Sequence, residues 1–543
     1  MAGIVGCVLG VVVVLTAGRL PGTPEPALLP VVSDRWVRLG AIGLAAACFG
    51  MARRAPTVCG ALAVLAACVV GGLTAFAAPP VVAIAVGLAL LVPALIHIIG
   101  RPVRKVVAAC AWASACVVAA GVVTWWGYGF MYGATHPAST TAGPTHGATE
   151  WVWSGGVTST SAVVTAKVGT SAGHVTLQVS PAAEVATERI GDVVRFGLTN
   201  LGPGTRVDYA VLVDGADDGS GRGAFRTVPV GAASFTVAFS SCARTGSNGA
   251  VFDAIRSEDP LMYLNLGDLY YADISGPDAQ RFTRAFDRVL TRPAQANLYR
   301  STSTTYVWDD HDFGSNDADG TSRSAPAAHA VYRRIVPHHA MALSGPQAPL
   351  ARAFTAGRVR FIVTDTRSAR SPSDQPDDPT KSMLGAAQRA WFEAEVLAAR
   401  GRFPVIVWVN PDPWIGAPRD GADGWAGYAT ERRELARFIA DNAITGLVML
   451  SGDTHAVALD DGAHTGYAGD GRPGFPLLHA GALDRAPQHG GGPYSHGEFL
   501  GGGQYGTLRV EDDGGATVAV TLRGHDWRGA ELTSLRVQFA APR

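Results

Sequence analysis

The stretch "LMYLNLGDLYYAD", residues 261–273, decides how this chain is read. An apolar run of strand type stops at Gly267 and is followed at once by Asp268 and two tyrosines. One such ending is ordinary, because Asp and Gly commonly follow strands. Five other runs end in the same manner. "SFTVAFS" (234–240) leads into Ser241-Cys242, "TTYVW" (304–308) into Asp309-Asp310-His311-Asp312, and "VRFIVT" (359–364) into Asp365-Thr366-Arg367. "FPVIVWV" (403–409) leads into Asn410, and "ITGLVML" (444–450) into Ser451-Gly452-Asp453-Thr454-His455. Ligands of open α/β sheets bind beyond the carboxyl ends of the strands. Six endings that carry Cys, Asp, Tyr, His, Asn and Arg therefore point to a site.

Working outward, amphipathic helical stretches alternate with these runs, such as "RAFDRVLTRPAQANLY" (284–299), "LGAAQRAWFEAEVLAAR" (384–400) and "ERRELARFIADN" (431–442). That alternation implies an α/β layered domain over 233–543. Before it, residues 151–232 are short alternating runs separated by Gly, Pro and Asn, the spacing of an all-β, fibronectin-like sandwich. Residues 129–150, rich in Thr, Ala, Gly and Pro, read as a linker.

The first 128 residues differ from the rest. Apolar runs at 3–17, 39–52, 57–78, 81–99 and 106–127 carry almost no charge. Three reach the roughly 20 residues that cross a bilayer as a helix. The expectation is a transmembrane anchor of about five helices. Arg53, Arg54, Arg101, Arg104 and Lys105 would face the cytoplasm. The chain would then be a multi-pass cell-membrane protein, with the bilayer as a partner and its catalytic domain on the extracytoplasmic side. The residues after 128 hold 36 basic and 43 acidic side chains, which argues against a nucleic-acid binder. No obligate protein partner is implied.

Clustered Asp and His ligands from separate strand ends build two-metal hydrolytic sites, which clamp the attacking and leaving oxygens of an in-line displacement. Asp268 is the best placed to bridge two ions. Cys242, the only cysteine after residue 128, and Tyr271 would add a thiolate and a phenolate. Magnesium and calcium prefer oxygen shells, whereas thiolates select transition metals, so the pair favours an iron-type ion beside a harder one. His338, His339, His464, His489 and His496 have loop positions and read as rim residues.

The ordered series "SSCA" (240–243), "GDLYYAD" (267–273), "VWDDHDFGSN" (307–316), "DTR" (365–367), "MLGAAQRAWFEAEV" (383–396) and "LSGDTHA" (450–456) resembles the PhoD-type alkaline phosphatases of the metallophosphoesterase superfamily. The resemblance covers about residues 150–525. It implies a β-sandwich metallophosphoesterase domain acting on phosphomonoesters or phosphodiesters with Fe3+ and Ca2+. It places Cys242, Asp268, Tyr271 and Asp453 on iron, and Asp310, Asn316 and His455 on calcium, with Asp268 shared. His311 would protonate the leaving oxygen or stabilise the phosphoryl group. Arg244, Arg367 and Asn410 would contact substrate. The expected activity is an extracytoplasmic phosphate-ester hydrolase using metal-activated hydroxide. The alternatives are a phosphodiesterase of phospholipase D-like type on lipid or cell-wall polymer diesters, or a non-catalytic membrane sensor.

Overall fold

The computed structural model describes residues 131–135 and 147–542, Asp218 excepted. All six apolar runs form strands, and each joins a parallel stretch of sheet. Phe235–Ser240, Met262–Asn265 and Thr304–Tyr306 lie side by side in parallel. Tyr505–Glu511, Thr517–His525 and Glu531–Ala540 extend that sheet with antiparallel strands, giving six in all. A second sheet of seven strands holds Val359–Val363, Val405–Val409, Leu447–Ser451 and Leu477–Ala480 in parallel at its centre. Antiparallel strands Arg352–Ala356, Ala456–Asp460 and Glu498–Leu500 complete it.

Period-2 alternation stacks these sheets. In strand Val405–Val409, Val405, Val407 and Val409 face the core between the sheets, where they meet Val237, Phe239, Leu264, Leu508 and Leu522. Ile406 and Trp408 point the other way, onto a core with Phe392 and Val396 of helix Ala386–Ala399 and Leu435 of helix Ala429–Asp441. Ala238 and Tyr263 likewise leave the far face of the first sheet, to meet the helices Val251–Ser257, Ala279–Leu290, Pro293–Ser301 and Ala325–Ile335. Both faces of the parallel strands are covered, which is why they read as nearly continuous apolar runs.

Residues 149–226 form two further antiparallel sheets, of four and three strands, around Val164, Phe196, Val207 and Val211. Trp151 and Trp153 face away from that core, and their indole N–H groups donate to Asp287 Oδ1 (2.9 Å) and the Ile335 carbonyl (3.2 Å).

Two expectations require correction. The described residues are strand-dominated: twenty strands against seven short α-helices, in a β-sandwich fold with no transmembrane helical region among them. The longest helix among the described residues has 14 residues, about 21 Å, short of the roughly 30 Å hydrocarbon core. No helix among the described residues is long and apolar enough to cross a membrane. The multi-pass placement, the bilayer partner and the extracytoplasmic orientation are therefore not supported. The apolar runs that prompted them, within residues 1–128, lie outside the described residues.

Candidate metal centre

The parallel strands of both sheets deliver their carboxyl ends to one seam. Cys242 follows Phe235–Ser240, Asp268 follows Met262–Asn265, and Asp453 follows Leu447–Ser451. All three are left-handed, with φ of 66°, 52° and 72°. A non-glycine residue in this region costs free energy, and such residues cluster where surrounding structure over-determines them. Here the turns are tied to one another. Cys242 N–H donates to the Gly267 carbonyl (3.3 Å) and Ala243 N–H to the Asp268 carbonyl (2.9 Å). Asp453 N–H crosses between the sheets to Ser241 Oγ (3.0 Å). That crossing needs Gly452, since a Cβ there would stand 2.6 Å from Ser241 Oγ.

Cys242 Sγ is buried, 3.2 Å from the Asp453 carbonyl oxygen and 3.7 Å from Asp268 Oδ2. Asp268 Oδ1 accepts the backbone N–H of His311 (3.2 Å). His455 lends Nδ1–H to the Ala486 carbonyl (2.8 Å), which leaves Nε2 to accept the Tyr271 hydroxyl at 3.1 Å. A backbone carbonyl on the far ring nitrogen is how proteins orient a metal-binding imidazole. Burial, with Arg485 adding to it, pushes the His455 imidazole down to about 4, so the ring is neutral.

His311 sits against Tyr271, ring centroids 4.1 Å apart. Asp273 Oδ1 holds its Nδ1 at 2.6 Å, and its Nε2 lies 4.0 Å from Asp310 Oδ2. Asp309 and Asp312 form a capping box around the short helix Asp310–Phe313. Asp312 also accepts Leu269 N–H (2.9 Å) and the Tyr306 hydroxyl (2.6 Å), which fixes the turn that bears Asp268.

Among the described residues, four groups of side chains have ligand atoms within 4.8 Å of one another: Asp268, Asp310 and His311; Asp309, Asp310 and Asp453; Asp310, Asp317 and Asp423; Asp412, Asp423 and Asp453. Burial pushes the carboxyls of Asp268 and Asp453 well above the usual range, and neighbouring carboxylates push further: Asp310 and Asp312 for Asp268, Asp423 and Asp412 for Asp453. Burial also raises the Cys242 thiol, with Asp268 and Asp453 adding to the shift. Among the described residues Asp309 Oδ2 and Asp310 Oδ1 have no hydrogen-bond donor though buried, and Arg367 stays 3.9 Å from the latter. Buried polar atoms are normally satisfied. Crowded carboxylates with orphaned oxygens, beside a thiol, a phenol and a neutral imidazole, suit bound cations.

The residues expected to contact substrate fare differently. Arg367 is fully buried, and its guanidinium meets Asp309 at 2.5 Å, Asp423 at 2.7 Å and Asp412 at 3.3 Å. It holds carboxylates and cannot reach a substrate. Asn410 is also buried, giving Nδ2–H to the Asp412 carbonyl (2.6 Å) and accepting Trp425 Nε1–H (3.1 Å). Its amide is spent inside the protein. Arg244 pairs with the buried Asp484 (3.2 Å) and lies over the Tyr132 ring. Asn316 is exposed, next to Asp317, whose backbone N–H donates to Asp310 Oδ2 (2.6 Å). His339, expected at the rim, is buried and stacked on Phe354.

Three residues at the seam escape a reading of the sequence. Asp412 stands in "NPDPW" and Asp423 in "RDGADGW", both of which look like turn chemistry. Arg370 pairs with each of them at 2.5 Å. Burial alone would raise the Asp423 carboxyl, but Arg367 and Arg370 hold it below the usual carboxylate range.

Residues 237–473 match the family model described as PhoD-like phosphatase. The chain is similar to alkaline phosphatase D of Bacillus subtilis, 29% identical over 177 residues that make up 28% of this chain and 30% of that protein. The match thus spans about a third of that relative's length. The solved structure titled "Structure of PhoD" superposes with a TM-score of 0.60 at 17% identity, over 72% of this chain and 90% of that one. A dimetal phosphatase from Danio rerio is more distant, with a TM-score of 0.33 at 13% identity over 56% of this chain and 99% of its own. Residues 237–473 are thus similar in sequence to the PhoD-like phosphatase model, and the fold that carries the seam is the one seen in the solved PhoD structure.

Proposed function

We propose that this chain is a metal-dependent phosphoester hydrolase whose reaction takes place at the seam between the two sheets. The observation that carries the reading is the set of crowded, partly orphaned carboxylates beside Cys242, Tyr271 and His455. Cys242, Asp268, Tyr271 and Asp453 would hold an iron-type ion, as the thiol and phenol suit. Asp310 and His455 would serve a harder, calcium-type ion, with Asp268 shared between the two and Asn316 as a further oxygen donor. Such ions, when bound, neutralise phosphoryl oxygens and activate water.

The protein's own residues do the rest. The tied left-handed turns fix Cys242, Asp268 and Asp453 before substrate arrives, so little reorganisation is needed during reaction. Arg367 and Arg370 hold Asp309, Asp412 and Asp423 in place, and keep the Asp423 carboxyl below the usual carboxylate range. Hydrolysis forms one P–O bond to a water oxygen and breaks the P–O bond to the alcohol. His311, with Nδ1 anchored on Asp273, gives its Nε2 proton to the departing oxygen.

The test is hydrolysis of p-nitrophenyl phosphate and bis(p-nitrophenyl) phosphate by the purified chain, with metal analysis of the same sample. Turnover should disappear with a strong chelator and return when iron and calcium are restored. Cys242→Ser should lose iron and any visible absorbance from thiolate or phenolate coordination while remaining folded. A metal-free chain that hydrolyses either ester at the full rate would refute the proposal.

A further inference from the structure

Of the three side chains expected to grip the substrate, Arg367 and Asn410 are committed inside the protein and Arg244 is paired with Asp484. A phosphate ester brings negative charge to the seam, and a cation that meets it has to face the metal centre with its donors unspent. Arg485 satisfies both conditions. Its guanidinium carbon lies over the Tyr271 ring, 3.8 Å from the centroid. Among the described residues no carboxylate oxygen lies within 4.0 Å of its nitrogens, and its Nε is buried without a hydrogen-bond partner.

The backbone around Arg485 is fixed by the centre itself. Leu483 N–H donates to the Ser241 carbonyl (3.2 Å), one residue before Cys242. On the other side Ala486 accepts His455 Nδ1–H, and Gln488 N–H donates to the His455 carbonyl (3.0 Å). The neighbouring acid does not compete, because Asp484 is taken by Arg244. A guanidinium is planar and stacks on aromatic faces, and its remaining edge offers donors in a fork that matches a phosphate. Packed over the Tyr271 ring and unpaired among the described residues, the Arg485 guanidinium has N–H groups to offer an anion.

We infer that Arg485 is a substrate-binding residue that takes the non-bridging phosphoryl oxygens of a phosphate ester lying over the Tyr271 and His455 side of the centre. This rests on the phosphoester-hydrolase reading above, and it assigns to Arg485 the part expected of Arg367 and Asn410.

Three proteins are compared, wild type, Arg485→Gln and Arg485→Lys, each with metals analysed and thermal unfolding recorded. KM and kcat for p-nitrophenyl phosphate and the inhibition constant of inorganic phosphate are measured on each. For Arg485→Gln the expected result is a rise of about tenfold or more in both KM and the phosphate inhibition constant, because a charge-assisted, two-pronged hydrogen bond to phosphate is removed. Metal content and melting temperature should stay near wild type, and Arg485→Lys should recover part of the phosphate affinity. Unchanged KM and phosphate inhibition in Arg485→Gln, with wild type active, would overturn this inference alone. Loss of metal with phosphate inhibition preserved would make Arg485 a prop for Tyr271 and also overturn it. So would failure of both variants to fold. A wild-type chain that holds metals but cleaves no ester would overturn the hydrolase reading and this inference with it.

Discussion

Replacing Gly267 by alanine should damage the protein out of proportion to the single methyl group added. Gly267 has φ of +101°, a conformation that L residues rarely adopt, and its carbonyl accepts Cys242 N–H. A Cβ at this position would stand 2.3 Å from Asp309 Cβ and 2.7 Å from Asp309 N, where ordinary contact begins at 3.4 Å. More than an ångström must be recovered. Asp309 cannot yield it, because its carboxylate is tied to Arg367 and its N–H to Asp312. The left-handed conformation costs about 1–2 kcal/mol, and overpacking a tight site adds about 1–3 kcal/mol. The expected loss is therefore about 2–5 kcal/mol, measured by urea unfolding at 25 °C. Gly215→Ala separates the two contributions: its φ is +79° but nothing lies within 4 Å of the added Cβ, so only the conformational cost of about 1–2 kcal/mol should appear. Bound metal should fall in Gly267→Ala, because both Cys242 and Asp268 move with that backbone, and stay unchanged in Gly215→Ala. Equal destabilisation of the two variants would refute the argument from close approach.

Arg367→Met, studied in the presence of chelator, should lose about 3–5 kcal/mol, because it leaves Asp309 buried without its cation and Asp412 and Asp423 with Arg370 alone; a loss below about 1 kcal/mol would show that the network contributes little. His311→Asn should lower kcat by about 10²–10⁴-fold while bound metal stays near wild type; full activity on a poor leaving group would remove His311 from the reaction. Burial, with Arg352 adding to it, pushes His339 down to about 4 from the ordinary 6.5, so below pH 6.5 the unfolded chain binds a proton that the folded chain refuses until about pH 4. Stability attributable to His339 is thus full above pH 6.5 and falls across that window by up to about 3 kcal/mol. His339→Gln should flatten the stability-versus-pH curve there by up to one proton; an unchanged slope would contradict this.

The six apolar runs are legible because a strand buried on both faces has to be apolar throughout, and a strand's end announces itself by a polar stop. That same signal leads to Cys242, Asp268, Asp310, His311, Asp453 and His455, which the structure brings to one seam. Asp412 and Asp423 are illegible, because Asp beside Pro or Gly is what any turn contains, and their partners Arg367 and Arg370 are 42 to 56 residues away along the chain. Arg367 misleads for a related reason. An arginine at a strand end looks available to an anion, and only the three-dimensional arrangement shows carboxylates already around it. Asn410 looks like a substrate contact from its place after a strand, yet the fold turns its amide inward to Trp425. The amphipathic stretches are legible as well, and form the helices Ala279–Leu290, Pro293–Ser301, Ala386–Ala399 and Ala429–Asp441 laid on the outsides of the two sheets.

The seam has a further consequence. Cys242 and Asp268 belong to one sheet and Asp453 and His455 to the other, so a cation held by both sets acts as a clasp across the interface between the sheets. A ligand that binds the folded state alone adds stability in proportion to the logarithm of its concentration over its dissociation constant. Here that increment would oppose one particular motion, the parting of the two sheets. Substitutions in the intervening core, at Phe239 or Val407 for instance, would then register as weaker metal retention before they register as unfolding. Metal release would thereby serve as a gauge of how firmly the sandwich is closed.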